Sequence, residues 1–179
     1  MEFSELIRTR RSCRHYTDEP VSRAEIEAIL TEANLSASAC NSQPWHYTVL
    51  LSRESRAAGA EAVQIFPNVN LFASDAAALI VLSVDKDPAV MSGVRGHFGS
   101  SKFAEIDAGS AAAYLTLAAA DKGLGTCIMG AFDEEKVIRA AALPDTVIPK
   151  LVIALGHPAD NDRPHTKKRD DIAGKTVVL

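Results

Sequence analysis

The segment Ala78-Leu79-Ile80-Val81-Leu82-Ser83-Val84 is the strongest indication of the fold class of this chain. It is apolar at every position except Ser83, so it lacks the alternation that is typical of a strand with one wet face. Such a run predicts a strand buried on both faces, and this burial requires helices on both sides of the sheet. The apolar run at residues 151–155 predicts a second buried strand of the same kind.

Helical patterns alternate with the strand patterns. Ser22 followed three residues later by Glu25 is a capping-box pattern, which predicts the start of a helix. Gly123 predicts the end of a long alanine-rich helix that begins near Phe103. This alternation predicts an α/β or α+β three-layer sandwich. The other helices are predicted near residues 3–7, over 54–65 and from the cap Asp133 to 142, and the other strands over 46–51, 126–129 and 176–179.

The composition is that of a globular protein. The chain has 179 residues, which suits one domain over 1–179, and 47% of them are hydrophobic. The formal net charge of −4 argues against a general affinity for nucleic acid, and no apolar run reaches transmembrane length. The three cysteines are scattered and the first eleven residues lack an apolar signal core, so we expect a cytoplasmic protein without a membrane partner.

The end of the chain resembles an extended arm rather than part of the packed core. After Gly156 the sequence becomes polar, and it finishes with the short β-like stretch at 176–179. The arm, about residues 157–179, is long enough to cross to a partner subunit and to pair with its sheet, which predicts a homodimer.

Several familiar sites are missing from the sequence. The five histidines show no metal-ligand spacing. Gly123 and Gly125 begin a dinucleotide-like motif, but Ile128 stands where its third glycine would be, and the segment follows a helix rather than a strand. The sequence therefore predicts no metal site and no Rossmann fingerprint.

Two basic clusters are candidate anion sites. The first is Arg10-Arg11-Ser12-Cys13-Arg14, in which guanidinium groups and a hydroxyl group can converge on a phosphate. The second is Lys167-Lys168-Arg169 near the C-terminus. The alternative for the first cluster is that its arginines cap helix carbonyls and face water, and the alternative for the second is a solvated basic turn.

The loop Ser38-Ala39-Cys40-Asn41-Ser42-Gln43-Pro44-Trp45 is the third candidate. Its small residues let the backbone approach a flat ligand, and Asn41 and Gln43 offer donors and acceptors to a heteroaromatic edge. The alternative is a polar turn in which Trp45 is a core anchor, and Trp45 is expected to be structural in either case.

Taken together, these segments resemble the nitroreductase family. The basic segment at 10–14, Pro20-Val21 and the segment at 38–45 follow the family's order, and Asp107 in the long helix also fits. Gly123-Leu124-Gly125-Thr126-Cys127 and Gly130-Ala131-Phe132-Asp133 resemble the family's G-L-G-x-C and G-[AG]-F-D segments, and Lys167-Lys168-Arg169 resembles its closing K-x-R. The resemblance spans nearly the whole chain, and its specificity lies in the ordered combination.

The resemblance implies a fold and a cofactor site. The fold would be the family's α+β, three-layer α/β/α sandwich with a mixed, mostly antiparallel sheet, and the C-terminal strand would be exchanged in a homodimer. FMN would bind at the subunit interface. Its phosphate, ribityl chain and pyrimidine edge would be held by Arg10, Arg11, Ser12 and Arg14, with Lys167 and Arg169 completing the phosphate site. Ser38, Ala39, Asn41 and Gln43 would reach the flavin from the other subunit. Met129, Gly130 and Ala131 would lie against one face of the ring.

The same resemblance implies an activity. NADH or NADPH would reduce the flavin, and a nitroaromatic, quinone or enone acceptor would then take the electrons in a ping-pong cycle, so that no catalytic side chain is needed. Alternatives are a flavin carrier or regulatory protein without significant turnover, a family variant that catalyses dehydrogenation or dehalogenation, and an α/β interaction domain whose basic cluster is only a solvated face.

Overall fold

The computed structural model describes residues 2–99, 101–162 and 167–179. Within these residues, six α-helices and four β-strands form the sandwich. In chain order the elements are α1 (Phe3–Thr9), α2 (Arg23–Ala33), β1 (Trp45–Leu50), α3 (Arg53–Val63), β2 (Ala78–Asp85), α4 (Ser92–Phe98), α5 (Ser101–Asp121), β3 (Gly125–Met129), α6 (Glu134–Ala141) and β4 (Val147–Gly156). Short 3-10 turns occur at Ala39–Asn41, Leu71–Ser74 and Ile172–Lys175.

The four strands form one antiparallel sheet in the order β1-β2-β4-β3. The two strands predicted to be buried on both faces, β2 and β4, lie at its centre, with Ile80 opposite Ile153. From Ala78 to Val84, β2 is buried throughout, as its unbroken apolar sequence predicts. One parallel bridge, Ser12 with Thr126, lies at the outer edge of β3 and makes the pairing mixed.

Two helical layers cover the sheet. Helices α2 and α5 pack on one face, where Ile29, Leu115 and Ile80 belong to one core cluster. Helices α3 and α6 pack on the other face, where Val63, Val137 and Val81 belong to the second cluster. The observed architecture is therefore the predicted three-layer α/β/α sandwich.

The predicted helix caps are formed as the sequence indicates. The Glu25 N–H donates to Ser22 Oγ at 3.2 Å and the Ser22 N–H donates to Glu25 Oε2 at 2.9 Å, which completes the capping box of α2. Asp133 Oδ1 accepts the Lys136 N–H at 3.0 Å at the start of α6. Gly123 has a φ of 77°, the left-handed conformation that ends a helix, just after α5.

The end of the arm does not form the strand that the sequence predicts over 176–179. Beyond the turn Ile172–Lys175, the last three residues are exposed and form no strand within this chain. The predicted exchange with a partner subunit stays a prediction. Among the residues described, no helix combines the length and the apolar character needed to cross a membrane.

Candidate functional site

The basic segment at residues 10–14 lies along the outer edge of β3. The Cys13 N–H donates to the Thr126 carbonyl at 2.8 Å, and Ser12 forms the parallel bridge with the same residue. Cys13 is buried against Gly125, and a Cβ atom added at Gly125 would lie 2.6 Å from Cys13 Sγ. The absence of a side chain at Gly125 therefore lets the basic segment dock directly on the sheet.

Side chains alternate in direction along this extended segment, as in any strand. Arg10, Ser12 and Arg14 face the thiol of Cys127, whose pKa is raised by burial and lowered in part by these three groups. The structure therefore brings Arg10, Ser12 and Arg14 together around Cys127. Arg11 lines a cavity with Arg10, but its guanidinium is paired with Asp162.

Two cations from the arm complete this cluster. Burial lowers the pKa of Arg10, and so does the neighbouring guanidinium of Arg169. The pKa of Lys167 is lowered by burial and then by the nearby charges of Arg10 and Arg169. The like charges are thus close enough to repel one another, as the convergence of the two predicted basic clusters requires.

No carboxylate of the described residues forms an ion pair with Arg10, Arg14, Lys167 or Arg169. Lys167 Nζ donates to the Ile7 carbonyl at 2.6 Å, and Arg169 Nη1 donates to the Lys168 carbonyl at 2.8 Å. Guanidinium, ammonium and hydroxyl donors without an acidic partner are the donor set that a phosphate group requires. The chemistry of this edge fits a phosphate-bearing ligand.

Arg11 has a different partner. Its Nη2 lies 2.8 Å from Asp162 Oδ2, its Nε donates to the same oxygen at 3.0 Å, and Nη2 also donates to the Asp162 carbonyl at 2.5 Å. This pairing occupies the Arg11 guanidinium, and the phosphate contact of Arg11 stays a prediction. Asp162 itself carried no signal in the sequence, because it lies in a polar stretch without periodicity.

Met129, Gly130 and Ala131 lie at the end of β3, along the same edge. Because Ser12 is level with Thr126 in parallel pairing, Arg14 is level with residue 128, one step before Met129. Met129 is buried, whereas Gly130 and Ala131 are exposed. The structure therefore places all three next to the basic segment, with two of them accessible to a ligand.

The loop at residues 38–43 has a strained backbone. Cys40, Asn41 and Gln43 have φ values of 55°, 53° and 45°, which are unfavourable for residues with a side chain. Two internal bonds hold this shape: Ser38 Oγ accepts the Gln43 N–H at 3.0 Å, and Gln43 Nε2 donates to the Asn41 carbonyl at 3.1 Å. The side chain of Gln43 is thus used within the loop, whereas that of Asn41 forms no bond with another described residue.

Asp107 of α5 holds this loop through hydrogen bonds to its backbone. Asp107 is only 6% exposed, and the two oxygens of its carboxylate accept the Ala39 N–H at 3.2 Å and 3.1 Å. Burial raises the pKa of Asp107, and the bond from Ala39 lowers it in part. Trp45, at the end of the loop, is buried and donates to Asn34 Oδ1 at 2.9 Å, as expected of a structural residue.

Replacing Asp107 with alanine is expected to release the loop. A buried hydrogen bond to a charged acceptor contributes about 1–3 kcal/mol, and the strained conformers of the loop depend on such support. We expect a lower free energy of unfolding and faster hydrogen exchange at the Ala39 amide. The control is Glu105→Ala, which removes an exposed carboxylate of the same helix; equal exchange in both variants would contradict the anchoring role.

The residues described contain no group of three or more histidine, cysteine, aspartate or glutamate side chains able to hold a metal ion.

Comparison with known proteins agrees with the observed fold. The family model described as "Nitroreductase family" matches residues 7–157. A protein of Archaeoglobus fulgidus, provisionally named NADH dehydrogenase/NAD(P)H nitroreductase, is 31% identical over 166 residues, which cover 89% of this chain and 87% of that protein. The FMN reductase [NAD(P)H] of Bacillus subtilis is 30% identical over 158 residues, which cover 84% of this chain and 63% of that enzyme.

Among solved structures, one similar fold is that of a provisionally named nitroreductase from Exiguobacterium sibiricum 255-15, which was determined in complex with FMN. The TM-score is 0.84 over all of this chain and 98% of the other, at 23% sequence identity. At this identity the likeness establishes the fold alone.

Proposed function

The chain belongs to the nitroreductase family, and we propose that it is an FMN-dependent oxidoreductase. It uses NADH or NADPH to reduce small-molecule acceptors of the nitroaromatic, quinone or enone type. Residues 1–179 form one FMN-binding domain in this proposal. Its relatives include enzymes named NAD(P)H nitroreductase and FMN reductase.

The observation that carries the proposal is the cation cluster at the edge of β3. Arg10 and Lys167 have lowered pKa values because burial and neighbouring positive charges disfavour their charged forms. Like charges gathered at one place without acidic partners favour the binding of an anion. A phosphate dianion placed between Arg10, Arg14, Lys167 and Arg169 would relieve it here.

The chain's own residues position the cofactor. Bound FMN would supply the redox chemistry, taking up and releasing hydride. Arg10, Arg14, Lys167 and Arg169 would hold its phosphate group, with Ser12 as a hydroxyl donor. Gly130 and Ala131 are accessible and small, so this end of β3 leaves room for a flat ring.

The second half of the site would come from another copy of the chain. Within one chain, no contact that the structure describes joins the loop at 38–43 to the cation cluster. The loop is nevertheless held in a costly conformation, which is typical of ligand-binding segments. We propose that Ser38, Ala39 and Asn41 reach the cofactor bound by the partner subunit.

An exposed stripe on α5 is the proposed dimer surface. Ile106 is 58% exposed and Tyr114 is 47% exposed, although both are large apolar residues on a central helix. Gly109 and Ala113, also exposed, lie between them at a spacing of four residues. Small residues at this spacing let two helices pack closely. Further exposed apolar side chains are Phe3 and Leu35.

Ala113→Arg is expected to convert the dimer into a monomer. A charged side chain in the centre of the stripe would lose its water on association without gaining a partner. Sedimentation velocity should show about half the mass, while the circular dichroism spectrum stays that of the folded protein. Glu54→Arg on α3, in the opposite helical layer, is the control and should remain dimeric; a dimeric Ala113→Arg protein would place the interface elsewhere.

The experiment that tests the function is a visible absorbance spectrum of the purified protein, recorded without oxygen before and after addition of NADH or NADPH. A yellow protein that bleaches with a nicotinamide donor supports the proposal and identifies the preferred donor. A yellow protein that resists both donors favours a flavin carrier. A colourless protein that takes up no added FMN refutes the proposal.

A further inference from the structure

Asp162 is a buried carboxylate outside the cation cluster. It is 8% exposed and lies near the start of the arm. Besides its three contacts with Arg11, its Oδ1 accepts the Arg14 N–H at 3.1 Å and lies 3.4 Å from Nδ1 of His15. The Asp162 side chain thus contacts two residues of the basic segment, Arg11 and Arg14, and also His15, which follows the segment.

Backbone bonds fix Asp162 itself in place. Its N–H donates to the Ala159 carbonyl at 2.9 Å, and the Ala159 N–H donates to the His15 carbonyl at 3.0 Å. Together with the Arg11 pair, these bonds attach the first residues of the arm to the basic segment. Arg10, Ser12 and Arg14 are the residues of this segment that act on the Cys127 thiol.

The position of Asp162 also limits where the arm can go. Lys167 follows only five residues later, a span of at most about 18 Å when fully extended. Lys167 Nζ reaches the Ile7 carbonyl, next to the same segment. The contacts of Asp162 and Lys167 with the N-terminal part of the chain therefore bring cations from both ends of the chain to one place.

We propose that Asp162 is a positioning residue for the phosphate end of the site. It neutralises Arg11, holds the Arg14 backbone and fastens the arm, so that the side chains of Arg10, Arg14, Lys167 and Arg169 can converge without an ion pair to any described carboxylate. This inference rests on the proposed function, since it assigns the converging cations to the FMN phosphate.

The charge state of Asp162 is consistent with this role. Burial by itself raises its pKa, but the Arg14 N–H, Cys13, Arg11 and His15 hold it below the ordinary value of 3.8. Its carboxylate is therefore ionised throughout the neutral and mildly acidic range. The ion pair between Arg11 and Asp162 therefore does not depend on pH in the neutral range, in which flavin binding is measured.

The test compares FMN with riboflavin, which lacks the phosphate. The full-length protein, freed of flavin, is titrated with each flavin, and the dissociation constants are read from flavin fluorescence. In Asp162→Ala we expect FMN affinity to fall roughly 10- to 100-fold, while riboflavin affinity changes less than about threefold. Asp160→Ala, an exposed residue of the same turn, is the matched control and should retain both affinities.

Asp162→Asn keeps the size of the side chain and an acceptor for the Arg14 N–H, so it tests the loss of charge with less effect on folding. It should show a smaller loss that is again selective for FMN. Equal losses for FMN and riboflavin in the folded variants, or no loss for either, would overturn the positioning role. Failure of the unmodified protein to bind either flavin would instead refute the proposed function.

Discussion

Replacing Arg10 and Arg169 together with alanine is expected to weaken FMN binding by roughly 10²- to 10⁴-fold. Each charge-assisted hydrogen bond to a phosphate contributes about 1.5–3 kcal/mol, and every 1.4 kcal/mol corresponds to about a factor of ten. Riboflavin should bind the variant almost as well as it binds the unmodified protein. Dissociation constants for both flavins, measured at one fixed salt concentration, test this result.

Without flavin, the same double substitution should not lower the stability of the folded protein. Burial and mutual repulsion lower the pKa of Arg10, so folding disfavours its charged form, and this contribution opposes stability at every pH below its folded pKa. Removing the two charges should therefore leave the flavin-free protein at least as stable as before. Thermal unfolding with and without FMN separates the two effects.

Arg8→Ala is the control for this pair. Arg8 is exposed at the end of α1, two residues before Arg10, so its loss should change neither flavin affinity nor stability. If the double variant loses FMN and riboflavin to the same extent, the cations support the fold of the edge rather than a phosphate group.

A structural feature of this protein can be predicted from the sequence when the residues that cause it are close together in the chain. The capping box of α2, the glycine after α5 and the burial of β2 all follow from residues close in sequence, and the structure confirms them. A strand that is apolar on both faces needs no knowledge of its neighbours to be recognised. These elements fix the three layers.

Strand β4 shows where such reasoning fails. The predicted strand begins at residue 151, but β4 begins at Val147 and includes Pro149. Pro149 lies opposite Ser83, at the register shift between Leu82 and Ser83. Proline is tolerated at such an irregularity, where a ladder hydrogen bond is already interrupted. The pairing that accommodates it involves a distant segment and could not be read locally.

The basic segment shows a different limit. Its composition predicts an anion site, but the period of two in an extended chain divides its arginines between opposite sides. Knowing that the segment is extended would have separated Arg11 from Arg10 and Arg14. The partner Asp162 lies 151 residues beyond Arg11, so only the folded structure reveals why one arginine is neutralised.

Gly125→Ala is expected to destabilise the protein by about 1–3 kcal/mol, the usual cost of overpacking. The new Cβ atom would lie 2.6 Å from Sγ and 2.7 Å from Cβ of Cys13, and 3.1 Å from Cγ of Pro158. Cys13 cannot move away without losing its bond to the Thr126 carbonyl. For a chain of this size the melting temperature should fall by roughly 2–12 °C.

A Gly130→Ala variant at the end of β3 is the matched control for stability. Its Cβ atom would meet only Leu151 Cδ2, at 3.7 Å, which is ordinary contact, so its stability should be unchanged or slightly higher because alanine restricts the unfolded chain.

The second test of the Gly125 contact is rescue by a change in Cys13. Cys13→Gly removes both atoms that the new Cβ would meet most closely, so Gly125→Ala should cost much less in that background. A favourable coupling between the two sites, measured by thermal unfolding of the four proteins, would show that close approach of the basic segment to β3 is the constraint at Gly125. Additive effects would instead place the cost in the backbone of β3. Because the same contact sets the position of Arg10 and Arg14, we expect Gly125→Ala also to weaken FMN binding and Cys13→Gly to restore it.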